Sequence, residues 1–225
     1  MDVGLGLMWF IAFLFSTTVH EAMHAWVAYR GGDPTAYHGG QVSLSPIPHI
    51  KREPIGMLVV PLITAVTMGW AMGWASAPYD PNWAARHPRR AALMAAAGPA
   101  GNFAIALAAL AILKIGLLSG WFVPPTQGLS FETLVVGASG PNGVTTLLSI
   151  FVMLNVLLGV FNLLPLPPLD GAAVVSIFLP PTARARVAEF MSNGMMSLLG
   201  LLVAWRVFPV FVEPLFILIV QLLYV

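Results

Sequence analysis

Three residues near the start of the chain have the types and the spacing to bind a metal ion and to activate water. His20, Glu21 and His24 form the pattern His-Glu-x-x-His. Residues four apart share one helix face, so both imidazoles can bind one metal ion while the carboxylate beside them accepts a proton. The pattern is typical of zinc-dependent peptide hydrolysis. We therefore expect His20 and His24 to bind zinc and Glu21 to be the general base.

A third metal ligand is expected because a catalytic zinc site usually has three protein ligands and one open position. Asp170 is the best candidate. Pro165, Pro167 and Pro168 precede it and cannot continue a helix, so an extended strand that presents the carboxylate sideways is predicted. An aspartate between apolar residues is expected to be paired or metal-bound. The alternative is an ordinary turn aspartate, because Asp-Gly is a common turn pair.

Asn102 is a further candidate, at the end of the sequence Gly98-Pro99-Ala100-Gly101-Asn102. Its amide could donate a hydrogen bond to a carbonyl oxygen that gains negative charge during the reaction. The alternative is a hydrogen bond between two helices. The remaining histidines, at positions 38, 49 and 87, are interpreted as surface residues.

The elements that position these residues lie in a membrane. The chain is 58% hydrophobic and 8% charged, with a mean hydropathy of +0.86, whereas soluble domains carry about 25% charged residues. The net charge of +1 gives no reason to expect a nucleic-acid partner. Cysteine is absent, so a bound metal must use histidine and carboxylate ligands. We expect the apolar run before His20 to be a retained span because no cleavage site precedes it.

Six apolar segments predict an all-α polytopic membrane protein with five to six transmembrane or re-entrant segments. They cover residues 5–29, 55–77, 91–118, 144–164, 184–207 and 208–225. The first, third, fourth and fifth are long enough to span a bilayer, which takes about 20 residues. Alternating residues around 39–45 predict a short membrane-associated β-hairpin. A single domain, 1–225, is expected, with a catalytic core at about 5–180 and added helices at about 184–225.

Basic residues predict the orientation of the segments. Eight of the ten lie in three stretches between segments or at the start of a segment: Arg30, Lys51, Arg52, Arg86, Arg89, Arg90, Arg184 and Arg186. If these stretches are cytoplasmic, the loop at 119–143 lies outside and the segment at 55–77 enters and leaves on one side. Pro61, Gly69 and Gly73 interrupt that segment and favour re-entry over a plain span.

The motifs and their order resemble those of the site-2 protease family of intramembrane zinc metalloproteases. His-Glu-x-x-His in the first segment is followed by Gly-Pro-x-x-Asn at 98–102 and by Asn-x-x-Pro-x-x-Pro-Leu-Asp-Gly at 162–171. The resemblance covers residues 10–180. The sequence Gly-Asp-Pro-Thr at 32–35 is similar to that of the compact prokaryotic members, which lack PDZ and CBS domains.

The resemblance implies one zinc ion per chain, held by His20, His24 and Asp170, with Glu21 as the catalytic base. It also implies that Asn102 steadies the substrate or the oxyanion and that Asn162 supports the bent strand. The expected substrate is a transmembrane protein, which could add to the edge of the 39–45 hairpin.

The expected location is the cell membrane of a prokaryote, where the protein crosses the lipid bilayer several times. The active site is expected nearer the cytoplasmic face. No oligomeric state is predicted. The alternatives are a catalytically silent membrane adaptor and a metal transporter that uses the same His and Asp site. The third and fourth segments carry only Lys114 as an ionisable residue, which weighs against a transport path.

Overall fold

A computed structural model describes residues 2–225 of the protein, which are 71% helical and therefore form an all-α fold, as predicted. A π-helix, Ile55–Val59, leads directly into the fourth α-helix. The α-helices are α1 Val3–Arg30, α2 Thr35–His38, α3 Pro46–Arg52, α4 Val60–Met68, α5 Pro81–Arg86, α6 Pro88–Leu118, α7 Gly143–Asn162, α8 Asp170–Ser176, α9 Pro181–Ser192, α10 Gly194–Val207 and α11 Pro209–Tyr224. The strands are β1 Phe122–Val123 and β2 Val136–Gly137.

Helices α1, α6 and α7 are long and apolar enough to cross a membrane, which confirms three of the predicted spans and makes this a membrane protein. The three helices pack side by side, and α6 runs antiparallel to both neighbours. The end of α1 therefore lies beside the start of α6, where Ala28 and Met94 belong to one buried apolar cluster with Trp83. The start of α1 lies beside the start of α7, where Met8 approaches Gly143.

Small residues allow these helices to approach closely. Gly98 and Gly101 of α6 face α1, and a side chain at Gly101 would meet Met23. Gly159 of α7 receives the ring of Phe103 in the same way. The close contacts bring polar groups on the three helices within hydrogen-bonding distance at the centre of the bundle.

The second predicted segment is a hairpin. Gly69 has φ +80°, a left-handed conformation that favours glycine, and it ends α4. The chain then returns along the helix, where Trp74 N donates to Gly56 O at 3.1 Å and Ser76 Oγ donates to Glu53 Oε1 at 2.7 Å. Ser76 thus lies beside the residue that precedes the apolar run, in agreement with the predicted re-entry.

A polar clamp fixes the end of α1. Trp83 Nε1 and Arg90 Nη1 both donate to Gly31 O at 3.1 Å. The buried carboxylate of Asp33 accepts bonds from Thr35 and, at 2.8 Å, from Asp80 N. Burial alone raises the pKa of Asp33, but these hydrogen bonds outweigh it and lower the pKa below the ordinary value. The clamp therefore ties α1 to α5 and α6.

The predicted hairpin at 39–45 is wrong in its position. Residues 39–45 contain no strand, and the two-stranded antiparallel sheet pairs β1 with β2 inside the 119–143 loop. Side-chain bonds replace strand pairing at 43–45, because Ser43 Oγ accepts from Ser45 N and Ser45 Oγ accepts from Ile47 N at the start of α3. His49 is buried and not on the surface, and it bonds Ser43 O through Nε2.

The fifth predicted segment is not one straight span. Helices α9 and α10 meet at an angle of 92°. Asn193 separates them, since its side chain accepts from Met195 N and Met196 N and so begins a new helix. Helix α11, with 16 residues, is shorter than a full span, as the sequence indicates.

Candidate metal centre

Three side chains converge on one point inside the bundle. His20 and His24 lie one turn apart on α1, each only 7% exposed, and their Nε2 atoms are 2.9 Å apart. Asp170 Oδ2 lies 3.2 Å from His20 Nε2 and 3.3 Å from His24 Nε2. Ligand atoms around a tetrahedral zinc ion at about 2.0–2.1 Å lie about 3.3 Å from one another. The two nitrogen–oxygen distances therefore match the edges of a zinc tetrahedron, whereas the nitrogen–nitrogen distance of 2.9 Å is shorter.

The outer nitrogen of each imidazole is held by an acceptor on α6. His24 Nδ1 lies 2.7 Å from Met94 O, and His20 Nδ1 lies 2.6 Å from Asn102 Oδ1. A carbonyl oxygen only accepts hydrogen bonds, so both Nδ1 atoms donate. In a neutral imidazole the Nε2 atom then keeps its lone pair, which is the form that binds a metal ion.

A second observation supports a zinc ion between the three residues. Asp170 Oδ2 is buried and has no hydrogen-bond partner, although it faces two nitrogen lone pairs. A cation placed between such converging electron pairs would stabilise them in a buried site. Gly98 keeps the position open, because a Cβ atom there would lie 2.6 Å from His20 Nε2 and closer still to His24 Nε2. Two nitrogen ligands and one carboxylate oxygen suit zinc.

Turns, and not the predicted extended strand, carry Asp170 into the site. Helix α7 ends at Asn162, the chain turns through residues 163–169, and Asp170 opens α8. Leu164 and Leu169 anchor these turns against Ala204 of α10. Gly171 is required because a side chain there would overlap the backbone of Leu163. The prolines do end the helix, as predicted, but the result is a compact turn.

Glu21 lies next to the cluster without joining it. Within residues 2–225, the group of side chains close enough to share one metal ion is His20, His24 and Asp170. The Glu21 carboxylate stands outside this group and is 5% exposed. A buried carboxylate that follows a metal ligand in sequence without being one fits the general base of the His-Glu-x-x-His pattern.

Comparison with known proteins shows the family of the chain. Residues 8–204 match the model of peptidase family M50. The chain belongs to this family of peptidases. The site-2 protease resemblance inferred from the three motifs is thereby confirmed.

Two proteins similar to this chain carry names that refer to zinc metalloproteases. The chain is 33% identical to "Putative zinc metalloprotease YwhC" of Bacillus subtilis (strain 168) over 193 residues, which cover 86% of this chain and 78% of that protein. It is 26% identical to "Putative zinc metalloprotease Rip2" of Mycolicibacterium smegmatis (strain ATCC 700084 / mc(2)155) over 201 residues, or 89% and 68% of the two chains. No solved structure matches the chain.

Asn102 of the M50 peptidase has both of its polar atoms engaged inside the protein. Its Oδ1 faces His20, and its Nδ2 donates to Asn155 Oδ1 at 2.8 Å and to Ser16 O at 3.4 Å. The side chain is 0% exposed. This arrangement favours a role in holding His20 over the predicted contact with an oxyanion.

Two buried polar residues beside the site are not among the site residues predicted from the sequence. Asn155 and Ser16 are both 0% exposed, and Asn155 Nδ2 donates to Ser16 Oγ at 2.8 Å. The available signal was Asn155 itself, an amide in the middle of an apolar span. Asn162, in contrast, donates to Leu158 O within its own helix and supports no strand.

Proposed function

We propose that the protein is an intramembrane zinc endopeptidase that hydrolyses peptide bonds within or near transmembrane segments of membrane proteins. The observation that carries this proposal is the convergence of His20, His24 and Asp170 inside a helix bundle, with Glu21 adjacent and outside the ligand set. Three ligands leave a zinc ion one open position, which is the feature that separates catalytic sites from structural ones. Membership of the M50 family supports the same chemistry.

In this proposal His20 Nε2, His24 Nε2 and Asp170 Oδ2 hold one zinc ion per chain. When bound, zinc supplies Lewis-acid chemistry that polarises a carbonyl group and activates water at neutral pH. The residues around it keep the ligands in place: Met94 O and Asn102 Oδ1 fix the two imidazoles, and the turn at 163–169 fixes the carboxylate.

Glu21 moves the proton. Its carboxylate accepts a proton from the attacking water as the oxygen adds to the scissile carbonyl carbon. The carbon–nitrogen bond then breaks, and Glu21 returns the proton to the leaving nitrogen. The burial of Glu21, at 5% exposure, keeps bulk water away from this transfer. A substrate helix must unwind locally, because its amide groups are otherwise bonded within the helix.

The site lies nearer the basic end of the bundle. His24 is six residues from the end of α1 at Arg30, or about 9 Å along the helix, and Met94 lies near the start of α6. Arg30, Arg89 and Arg90 flank this end. Basic residues favour the cytoplasmic side, so we place the active site toward the cytoplasmic face of a prokaryotic cell membrane.

The experiment that tests the proposal compares the wild type with Glu21→Gln. Zinc is measured in the purified protein by elemental analysis, and cleavage is measured on a generic transmembrane substrate. We expect about one zinc ion per chain in both proteins, because Glu21 is not a ligand. Cleavage by the variant should fall by about 10²–10⁴-fold, the usual contribution of a general base.

Glu132→Gln is the matched control, because it makes the same chemical change in the 119–143 loop and should leave cleavage unchanged. Zinc in the wild type and in Glu21→Gln, with cleavage by neither, would favour a silent adaptor over a peptidase. Metal transport that survives Glu21→Gln would favour a transporter. An absence of zinc from the wild type would contradict the proposed site itself.

A further inference from the structure

A chain of buried polar groups crosses the bundle and ends on one of the candidate zinc ligands. It begins at Ser16 on α1, passes through Asn155 on α7 and Asn102 on α6, and returns to His20 on α1. The bonds are Asn155 Nδ2 to Ser16 Oγ at 2.8 Å, Asn102 Nδ2 to Asn155 Oδ1 at 2.8 Å, and His20 Nδ1 to Asn102 Oδ1 at 2.6 Å. Both amides are 0% exposed, so no water competes for these bonds.

The direction of the hydrogen bonds in this series of polar groups is fixed at Asn155. Its side chain also lies 2.9 Å from Phe151 O, a carbonyl that only accepts, so the nitrogen of the amide must face that carbonyl. The oxygen of Asn155 then faces Asn102, which must present its own nitrogen. The oxygen of Asn102 is left for His20, and His20 must donate from Nδ1.

We propose that Asn155 is a positioning residue for the zinc site, which acts through Asn102 to keep His20 in the form with its lone pair on Nε2. This inference rests on the proposed function, in which His20 Nε2 is a zinc ligand. Asn155 does not touch that atom. With the shorter of the two bonds that Asn102 Nδ2 donates, it helps to determine which way the Asn102 amide points. That amide determines which nitrogen of His20 carries the proton.

Without Asn155, the amide of Asn102 loses the nearer of its two acceptors and keeps only the longer bond, of 3.4 Å, to Ser16 O. If the amide turned over, its nitrogen would face His20 Nδ1, which would then have to accept. The proton of the neutral ring would move to Nε2 and remove the lone pair directed at Asp170 and His24. His24 is independent of this chain, because its partner is the main-chain carbonyl of Met94.

The test uses three substitutions at Asn155. Asn155→Leu removes both polar atoms at similar size. Asn155→Ser is too short to reach Asn102, but its hydroxyl can still donate to Phe151 O, so it spares the bond within α7. Asn155→Asp keeps an acceptor toward Asn102, and in the neutral, protonated form that a buried apolar site favours, its hydroxyl donates to Phe151 O, so it serves as the conservative rescue.

The measurement is the affinity of the purified full chain for Zn²⁺, from competition with a chelator, with the visible spectrum of bound Co²⁺ as a second readout of ligand geometry. Loss of the partner that orients a metal-binding histidine typically costs about 10–100-fold in metal affinity. We expect at least about 10-fold weaker Zn²⁺ binding and an altered Co²⁺ spectrum for Asn155→Leu and Asn155→Ser. Asn155→Asp should stay close to the wild type.

A double variant separates positioning from general destabilisation. If Asn155 acts through Asn102, then Asn155→Leu should cost nothing further in a chain that already carries Asn102→Leu. Ser149→Ala is the matched control, because Ser149 is also buried on α7 and bonds Thr145 O and Leu134 N, away from His20. It should leave Zn²⁺ affinity unchanged.

The outcomes distinguish this inference from the proposed function. Wild-type affinity in Asn155→Leu or Asn155→Ser, or a loss in Asn155→Asp as large as in Asn155→Leu, would overturn the inference and leave the zinc site standing. An undiminished effect of Asn155→Leu in the Asn102→Leu chain would overturn it as well. A wild type that binds no zinc would overturn the proposed function first. If Asn155→Leu does not fold, Asn155→Ser provides the same comparison.

Discussion

At the scale of single residues, the site depends on the absence of a side chain as much as on its ligands. Gly98 lies on α6 opposite both imidazoles, and any larger residue would take the space in which their Nε2 atoms meet Asp170. The rings have little freedom to retreat, because Met94 and Asn102 hold their outer nitrogens. The glycine in the sequence motif is therefore explained by the space for a metal ion.

This explanation predicts the effect of Gly98→Ala. The new methyl group should push the two imidazoles apart, lower zinc affinity by about 10–100-fold and reduce cleavage with it. Zinc content after dialysis against a weak chelator measures the effect. Gly101→Ala is the control one turn along α6, where the methyl group meets the flexible Met23 side chain. Equal zinc retention in Gly98→Ala and the wild type would show that this space is not needed.

The sequence predicts the ligands better than it predicts the residues that hold them. His20 and His24 are recognisable because helical spacing alone puts them on one face, and Glu21 because it completes the His-Glu-x-x-His pattern. Asp170 is recognisable because a lone carboxylate in an apolar context needs a partner. Asn155 could not be assigned in this way. Its partner Asn102 is on another helix, and their contact depends on how α6 and α7 align, which no local pattern encodes.

At the scale of elements, the long apolar segments are predicted well and the interrupted ones poorly. Helices α1, α6 and α7 follow from length and hydropathy alone. The segment at 184–207 was predicted as one span, but Arg184, Arg186 and Glu189 make its first half polar and Asn193 starts a second helix. The alternation at 41–45 predicts a strand, because a period-two pattern does not take into account the local bonds that the Ser43 and Ser45 side chains accept.

The clamp at the end of α1 predicts the effect of Asp33→Ala. The substitution leaves Thr35 N and Asp80 N without their buried acceptor, which should cost about 1–3 kcal/mol in the free energy of unfolding. Thermal unfolding in detergent measures the loss as a lower Tm. Thr35→Val removes only the hydroxyl bond to Asp33 and should cost less. An equal Tm for Asp33→Ala and the wild type would mean that the Asp33 bonds are not needed, and that packing and the bond from Trp83 to Gly31 O hold α1 to α5.

At the scale of the whole molecule, the antiparallel order of α1, α6 and α7 separates two ends of different character. One end carries Arg30, the helix α5 and the zinc-ligand candidates, and the other carries the sheet of β1 and β2 in the 119–143 loop. That loop is fastened to the bundle, because Leu134 N donates to Ser149 Oγ and Tyr224 Oη donates to Leu134 O. The two ends therefore face opposite sides of any membrane that the three helices cross.

Because the chain contains no cysteine, single introduced cysteines can report on these two ends without a background signal. Ala85→Cys places a thiol on exposed α5 at the basic end, and Thr126→Cys places one on the exposed loop at the other end. With an impermeant maleimide, we expect Thr126→Cys to be labelled in right-side-out vesicles and Ala85→Cys only in inside-out vesicles, because basic residues stay in the cytoplasm. The unmodified chain is the control and should take no label. The reverse pattern would move the active site to the outer face, and labelling of both thiols from one side would contradict a bundle that spans the membrane.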